Sequence, residues 1–500
     1  MECSAAGARE NVMSLIRSRV IEAPDAIAVE GEVNLTYREL WDRVERHSYE
    51  LKLVPGNPNK FTIFEPTSKI QNIVSMLGTF LAGAVYVPID PLWPEERLRY
   101  VVDLLGNANN STNSSNGKAG VDDSRHHEHF ETKLNDTEAT SASLSYLLFT
   151  SGSRGMPKGV LQTHEALLNL VEWQMHQSQN GPSLRTALMT PSTFDVSIQE
   201  ICSTLAAGGT LVEIPDEARL DPPRLERLCS RSGITRLFMP PIMLRMLAES
   251  TAKSNSWNPD AISICEFICA GDKLIVNDAI RSYALGRKWM KLINQYGPTE
   301  THVVMSHSLS GDPGEWPTEP PIGLPISGVF PSIRERNGES VETGELVIEG
   351  KCVAAGYVGA TSQDESRFSE FNRSRSYSTG DCVSTDEFGV FQFLGRLDRQ
   401  IKLRGHRIEP DGIESVLESL PGVLAAAVDI FGEDPLTRKL VAVVVSDEPL
   451  SAPSIRRQLG KIFPPYSVPN EIRITPALPK SSSGKVDHQA LIQLEFPFEH

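Results

Sequence analysis

The sequence predicts an α/β protein in which a large N-terminal domain of layered α/β subdomains, residues 1–397, precedes a small mobile C-terminal α+β domain, residues 398–500. Three observations lead there. A chain of 500 residues exceeds what one hydrophobic core fills, so at least two domains are expected. Strand-like apolar runs alternate with helical spacings as far as Gly395, the pattern of helices layered on sheets. Beyond Asp398 the elements shorten and the pattern changes scale.

In chain order, a short strand over Ala26 to Val29 leads through Leu35-Thr36-Tyr37-Arg38-Glu39 into an amphipathic helix toward Leu51, where Thr36 and Glu39 have capping-box spacing. Ile70, Ile73, Val74, Leu77 and Leu81 give helical periodicity over Ser68 to Leu81, and Leu81 to Asp90 turns that helix into a strand. Residues 107–143 carry Asn, Ser, Asp and His without an apolar period and read as a disordered surface insertion. The cluster His126, His127 and His129 falls inside it and reads as solvated loop rather than metal site. Further on, Leu225 to Arg231 is expected as a helix, Thr235 to Met239 as a strand, Pro240-Pro241 as a helix start and Ile264 to Cys269 as another strand. In the small domain, Asp411 is expected to cap a helix with Glu414 at its third position. Strands over Ala425 to Phe431 and Lys439 to Val445, a helix over Ser454 to Phe463 and a strand over Glu471 to Thr475 follow.

The formal net charge of −16, with no long basic run, disfavours binding to nucleic acid and points to small-molecule or protein partners. The 7 cysteines are scattered without metal or redox spacing and read as reduced thiols of a cytoplasmic protein. The longest apolar stretch, Ile70 to Val87, is interrupted by polar residues, so no membrane association is expected.

The stretch that carries chemistry is Leu144 to Gly159. An apolar strand pattern breaks into Thr150-Ser151-Gly152-Ser153-Arg154-Gly155, where small residues let backbone N–H groups converge on an anion and hydroxyls add donors. Arg154 and Lys158 add positive charge suited to the terminal phosphates of a nucleotide. It is not a Walker A loop, because Pro157 precedes Lys158 and no hydroxyl follows it.

This loop resembles the phosphate loop of the adenylate-forming enzymes, and in particular that of the adenylation domains of nonribosomal peptide synthetases, which usually have Thr where Arg154 stands. The resemblance extends in order through Asn294-Gln295-Tyr296-Gly297-Pro298-Thr299-Glu300, Tyr377-Ser378-Thr379-Gly380-Asp381, Gly395-Arg396-Leu397-Asp398 and Ser483-Gly484-Lys485-Val486-Asp487. It implies an adenylate-forming fold with ATP and Mg²⁺ as cofactors. Nucleotide contacts are implied for Thr150, Ser151, Gly152, Ser153, Gly155, Lys158, Gly271, Asp272, Asn294, Tyr296, Gly297, Thr299, Asp381 and Arg396. Tyr296 would stack on adenine, Thr299 would contact the α-phosphate, Asp381 would accept the ribose hydroxyls and Glu300 would bind Mg²⁺. Lys485 is the implied catalytic cation, swinging in about a hinge at Asp398. Pro410-Asp411-Gly412 departs from the family's usual Leu-Gly-Glu.

Phe194-Asp195-Val196-Ser197 resembles the motif whose aspartate pairs with a substrate α-ammonium, which implies an α-amino acid. The corresponding pocket is Asp195, Val196, Gln199, Phe238, Ile268, Ala270, Gln295, Val303 and Val304. It offers no charge to a substrate side chain, so a compact apolar one is expected. The set is similar to that of proline-activating domains, which commonly have His where Gln295 stands, and L-proline or a small imino or apolar acid is the expected substrate. The implied product passes to a phosphopantetheine thiol of a carrier protein; with no carrier domain after Lys485, the expectation is an acceptor in trans or a chain that is a fragment of something longer. An acid–coenzyme A ligase remains an alternative, as does a nucleotide-binding pseudoenzyme motivated by Arg154 and by Pro410 to Gly412.

Overall fold

The computed structural model describes residues 11–53, 61–111, 144–152, 155–178, 181–252, 264–285, 290–334, 342–371, 374–432, 434–480 and 486–493. Two compact units emerge. One comprises Met1–Asp90, Thr112–Leu148 and Val160–Leu397, and the other Pro91–Ser111, Phe149–Gly159 and Asp398–His500.

The larger unit is built on a nine-stranded sheet in the order Leu324–Pro325, Met305–Leu309, Lys291–Tyr296, Glu266–Cys269, Arg236–Met239, Arg185–Leu188, Thr210–Glu213, Ile27–Glu30 and Leu35–Thr36. Four neighbours in its middle, Arg185–Leu188, Arg236–Met239, Glu266–Cys269 and Lys291–Tyr296, run parallel, with Ile268 beside Phe238 and Asn294 beside Cys269. Their carboxyl ends therefore face the same way, the side on which open α/β sheets collect ligands. Arg236–Met239 and Glu266–Cys269 are buried at every position and apolar after their first residue, as strands covered on both faces require. One apolar cluster packs the helices Tyr37–Leu53 and Lys69–Ala82 and includes Val29, Leu40, Ile73, Leu77 and Ile201. A second packs Leu237, Leu244, Phe267, Ile280 and Leu292.

A second sheet orders Val329–Arg334, Thr343–Gly350, Ser374–Thr385 and Phe368–Phe371, with Phe391–Arg396 also paired to Ser374–Thr385. In a third, Gly356–Val358, Lys158–Thr163, Leu144–Thr150, Val85–Pro88 and Phe61–Phe64 lie side by side. In the second unit, Val423–Phe431, Lys439–Ser446 and Glu471–Thr475 form a three-stranded sheet packed on the helices Pro410–Glu418 and Ala452–Leu459 through Ile413, Leu417, Val428, Leu440 and Ile455.

Local chemistry explains the element starts. Thr36 and Glu39 form the expected capping box, since the Glu39 carboxylate accepts from the Thr36 N–H at 2.9 Å and the Thr36 hydroxyl accepts from the Glu39 N–H at 3.2 Å. Ser68 caps Lys69–Ala82 through the Gln71 N–H. Three expectations are corrected. Asp411 does not cap its helix, because Pro410 takes the first helical position and Glu409 the cap, and the Asp411 carboxylate accepts from Arg399 at 2.7 Å instead. The helix placed over Ser454 to Phe463 is Ala452–Leu459, started by the Ser451 hydroxyl and closed at Gly460. The helix Glu95–Ser111 runs into the segment read as an insertion, whose remaining residues 112–143, with the histidine cluster, lie outside the described residues.

Candidate functional site

The segments that leave the parallel strands carry Asp195, Ala270 to Asp272, and Thr299 and Glu300, so these follow the carboxyl ends of that sheet, whereas Asp381 and Arg396 stand on strands of the second sheet. After Arg185–Leu188 the chain reaches the helix Asp195–Ala206, which opens on Asp195 itself. The Asp195 Oδ1 accepts from the Val196 N–H at 2.8 Å, which fixes the side chain at the helix N-terminus, where partial positive charge favours a carboxylate. Strand Lys291–Tyr296 runs into the turn Gly297 to Val304, and this turn organises the site.

Its geometry rests on two residues. A Cβ built on Gly297 would lie 1.7 Å from the His302 carbonyl oxygen, so only glycine lets the strand end and the returning chain approach this closely. His302 holds a left-handed backbone at φ 56° and is buried. Its Nδ1 accepts from the Val303 N–H at 2.9 Å, which leaves the proton on Nε2 to donate to the Asp195 carbonyl at 2.9 Å. His302 thus ties the turn to the start of the Asp195 helix. The sequence reading omitted it, because nothing in the sequence marks a buried orienting histidine beyond its place after Glu300.

Glu300, in the same turn, is fully buried, and the Tyr357 hydroxyl donates to its Oε1 at 2.7 Å. Tyr377 places its own hydroxyl 3.3 Å from that of Tyr357. A carboxylate is the kind of hard oxygen ligand that suits Mg²⁺. Among the described residues no group of three or more His, Cys, Asp or Glu side chains forms a metal cage. Thr299 is half-buried, and its carbonyl accepts from Gln162 Nε2 at 3.2 Å.

Tyr296 closes the strand before the turn and donates its hydroxyl to Asp381 Oδ2 at 2.5 Å, while Arg396 donates to Asp381 Oδ1 at 2.7 Å. Asp381 and Arg396 meet because they stand opposite each other on antiparallel strands. Burial, and next the Asp381 carboxylate, hold the Tyr296 phenol well above its ordinary pKa. Its ring lies 6.5 Å from that of Phe393. Asn294 is turned to the Pro321 carbonyl at 2.9 Å. Gly271 is exposed at φ 89°, and Asp272 accepts from the Lys273 N–H at 2.7 Å.

The pocket positions divide into groups. Phe238 and Ile268 share a small apolar cluster with Ile293 and Val196. Gln199 and Gln295 are joined to each other and to Gln174, which the sequence reading did not include. Ala270 is half-buried just after its strand. Val303 and Val304 pack into a different cluster, with Val160, Leu170, Ile322 and Ile326.

Part of the phosphate loop belongs to the second unit. Gly152 and Gly155 close its turn by a 3.1 Å backbone bond, and Lys158 is buried at the start of Lys158–Thr163. The Thr150 hydroxyl is buried and has no hydrogen-bond partner among the described residues, as a donor kept for an anion would be. Ser151 donates to the Arg407 carbonyl at 3.0 Å, and a Cβ on Gly412 would meet the Gly152 oxygen at 2.5 Å. Glycine at the third place of Pro410-Asp411-Gly412 therefore permits the two backbones to touch. Asp398 begins this unit's last segment and accepts from the Gln400 N–H at 3.2 Å. Ser153, Arg154 and Lys485 lie outside the described residues.

Residues 16–358 match the AMP-binding enzyme family, and residues 412–485 match the AMP-binding enzyme C-terminal domain. Gramicidin S synthase 2 of Brevibacillus brevis is 32% identical over 97% of this chain and 11% of its own length. Bacitracin synthase 1 of Bacillus licheniformis is 31% identical over 96% of this chain and 9% of its own. The chain thus spans about a tenth of the length of these relatives. Holo-PA1221, an NRPS protein containing adenylation and PCP domains, superposes with a TM-score of 0.78 at 24% identity, over 97% of this chain and 84% of that one, which shows the fold. The chain belongs to the AMP-binding enzyme family and is an adenylation domain similar to those of nonribosomal peptide synthetases.

Proposed function

We propose that the chain activates an α-amino acid with ATP, forming an aminoacyl adenylate and pyrophosphate, and then passes the acyl group to a phosphopantetheine thiol of a carrier protein in trans. In the first step a substrate carboxylate oxygen attacks the α-phosphorus as the bond to the β-phosphate breaks. In the second the thiol sulfur attacks the acyl carbon and AMP leaves. Such chemistry asks a protein mostly for positioning and for charge to meet charge.

The observation that carries the reading is that one strand end and the turn that follows it are bonded to, or contain, the three acidic residues it requires. Tyr296 holds Asp381 for ribose, Glu300 stands within the turn for the metal, and His302 holds the helix start that bears Asp195 for the α-ammonium. When bound, Mg²⁺ would offset the negative charge of the phosphates, with Glu300 as its protein ligand. Lys485 would supply the cation between the substrate carboxylate and the α-phosphate, and Asp398 the hinge about which it arrives. Asp195 favours an amino acid over a plain carboxylic acid. The uncharged pocket supports L-proline or another small imino or apolar acid. A cytoplasmic setting is part of this reading, supported by six free cysteines among the described residues. Among those residues no helix is long and apolar enough to cross a membrane.

The test is amino-acid-dependent exchange of pyrophosphate into ATP across the standard amino acids, with Lys485→Ala and Asp195→Ala alongside. Strong exchange for proline that both substitutions abolish is the expected result. Exchange for a different amino acid would replace the substrate. Exchange that survives Asp195→Ala would overturn the ammonium pairing, and ATP binding without exchange for any amino acid would overturn the activity.

A further inference from the structure

Three glutamines from three separate elements meet behind Asp195. Gln174 comes from the helix His164–Gln177, Gln199 from Asp195–Ala206 and Gln295 from the strand Lys291–Tyr296, and none is more than 2% exposed. Gln199 Nε2 donates to Gln174 Oε1 at 2.9 Å and to Gln295 Oε1 at 3.0 Å, and Gln295 Nε2 donates to Gln174 Oε1 at 2.9 Å. The ring of bonds leaves Gln199 Oε1 buried and without a hydrogen-bond partner among the described residues. Native interiors seldom leave a buried polar atom unused without a reason. Turning all three amides over together preserves the three contacts and leaves Gln199 Nε2 unused in place of Oε1. Both arrangements share one unsatisfied amide atom on Gln199.

Gln199 stands four residues after Asp195, so the two side chains leave the same face of the helix about 6 Å apart along its axis. An amino acid whose ammonium meets Asp195 would carry a short side chain toward Gln199. We propose that Gln174 is a specificity-determining residue, which locks Gln199 and Gln295 so that Gln199 offers one unpaired amide atom to a hydroxyl on a compact amino- or imino-acid side chain. A hydroxyl both donates and accepts, and so fits either arrangement of the amides. The inference rests on the proposed activity and narrows its substrate from small neutral acids to their hydroxylated members. Gln174 acts through Gln199, since its oxygen is the acceptor common to the other two glutamines. Without that oxygen Gln199 can turn and satisfy its own amide against Gln295.

The experiment measures kcat/KM for pyrophosphate exchange with matched pairs: L-proline and trans-4-hydroxy-L-proline, L-valine and L-threonine, L-alanine and L-serine. The full chain should favour the hydroxylated member of at least one pair by about tenfold or more, the discrimination expected of a buried hydrogen bond. Gln174→Met, apolar and of similar length, should bring that ratio toward one, and Gln199→Leu, which removes the unused atom, should do the same. General structural damage would lower both members of a pair together and leave their ratio unchanged. The inference is overturned if the plain member is preferred in every pair, if exchange is confined to side chains without a hydroxyl, or if both variants keep the original ratio. No exchange with any amino acid would instead refute the proposed activity, and this inference with it.

Discussion

Replacing Gly297 by alanine tests the turn on which the site depends. The added Cβ would stand 1.7 Å from the His302 oxygen, 2.6 Å from its carbonyl carbon and 3.0 Å from the Val303 Cα. Contacts of a Cβ with other heavy atoms essentially never fall below 3.0 Å, and the obstacle is backbone, so no side chain can swing aside. The His302 carbonyl has to retreat by more than about 1 Å, and misplacement on that scale costs about a hundredfold in rate. His302 also holds the Asp195 helix start and the Val303 N–H, and Thr299 and Glu300 lie between the two ends of the displaced segment. Overpacking of this kind lowers stability by about 1–3 kcal/mol, whereas a hundredfold in rate corresponds to about 2.7 kcal/mol of barrier. The assay is pyrophosphate exchange well below the unfolding temperature, with thermal unfolding measured in parallel. We expect about a hundredfold loss of exchange in a protein that remains folded. A Gly297→Ala protein with a rate within about threefold of the parent would refute the argument that this turn positions the reacting groups.

Two further outcomes follow from buried groups. Tyr357→Phe removes the donor to Glu300 Oε1, and loss of a hydrogen bond behind a metal ligand should raise the Mg²⁺ concentration needed for half-maximal exchange by about tenfold, with unaltered Mg²⁺ dependence as the contrary result. Burial pushes the Glu200 carboxyl from 4.5 up to about 8, outweighing the hydrogen bonds it accepts from Thr190 and Met189. Between those values the folded protein keeps a proton that the unfolded chain releases. This contribution to stability is complete below pH 4.5 and is lost as pH rises toward about 8. Urea unfolding at pH 5 and pH 8 should show Glu200→Gln losing less stability than the parent over that interval, and equal losses would overturn the assignment.

Much of the site is written in short strings because backbone constraints are local. Tyr296 to Glu300 continues from the end of one strand, and Phe194 to Ser197 spans the start of one helix. Capping at Thr36 was readable for the same reason, since its partner Glu39 is three residues away. The reading failed where two local preferences competed, as at Pro410 and Asp411, and where it ran past a local stop, as at Gly460. It also had no access to partners distant in the chain. Gln174 is 121 residues from Gln295, and Tyr357 is 57 residues from Glu300.

The sequence by itself determined the alternation of strands and helices, the order of the motifs and the chemical types brought to bear: a phosphate loop, carboxylates and an uncharged pocket. Tertiary structure alone decided that Tyr296 and Arg396 share Asp381, that His302 joins the turn to the Asp195 helix, and that three amides close behind that helix leaving one atom unsatisfied. The physical reason is that propensity, capping and periodicity act over a few residues. Hydrogen-bond satisfaction in a buried interior is instead settled only when segments far apart in the chain are packed together.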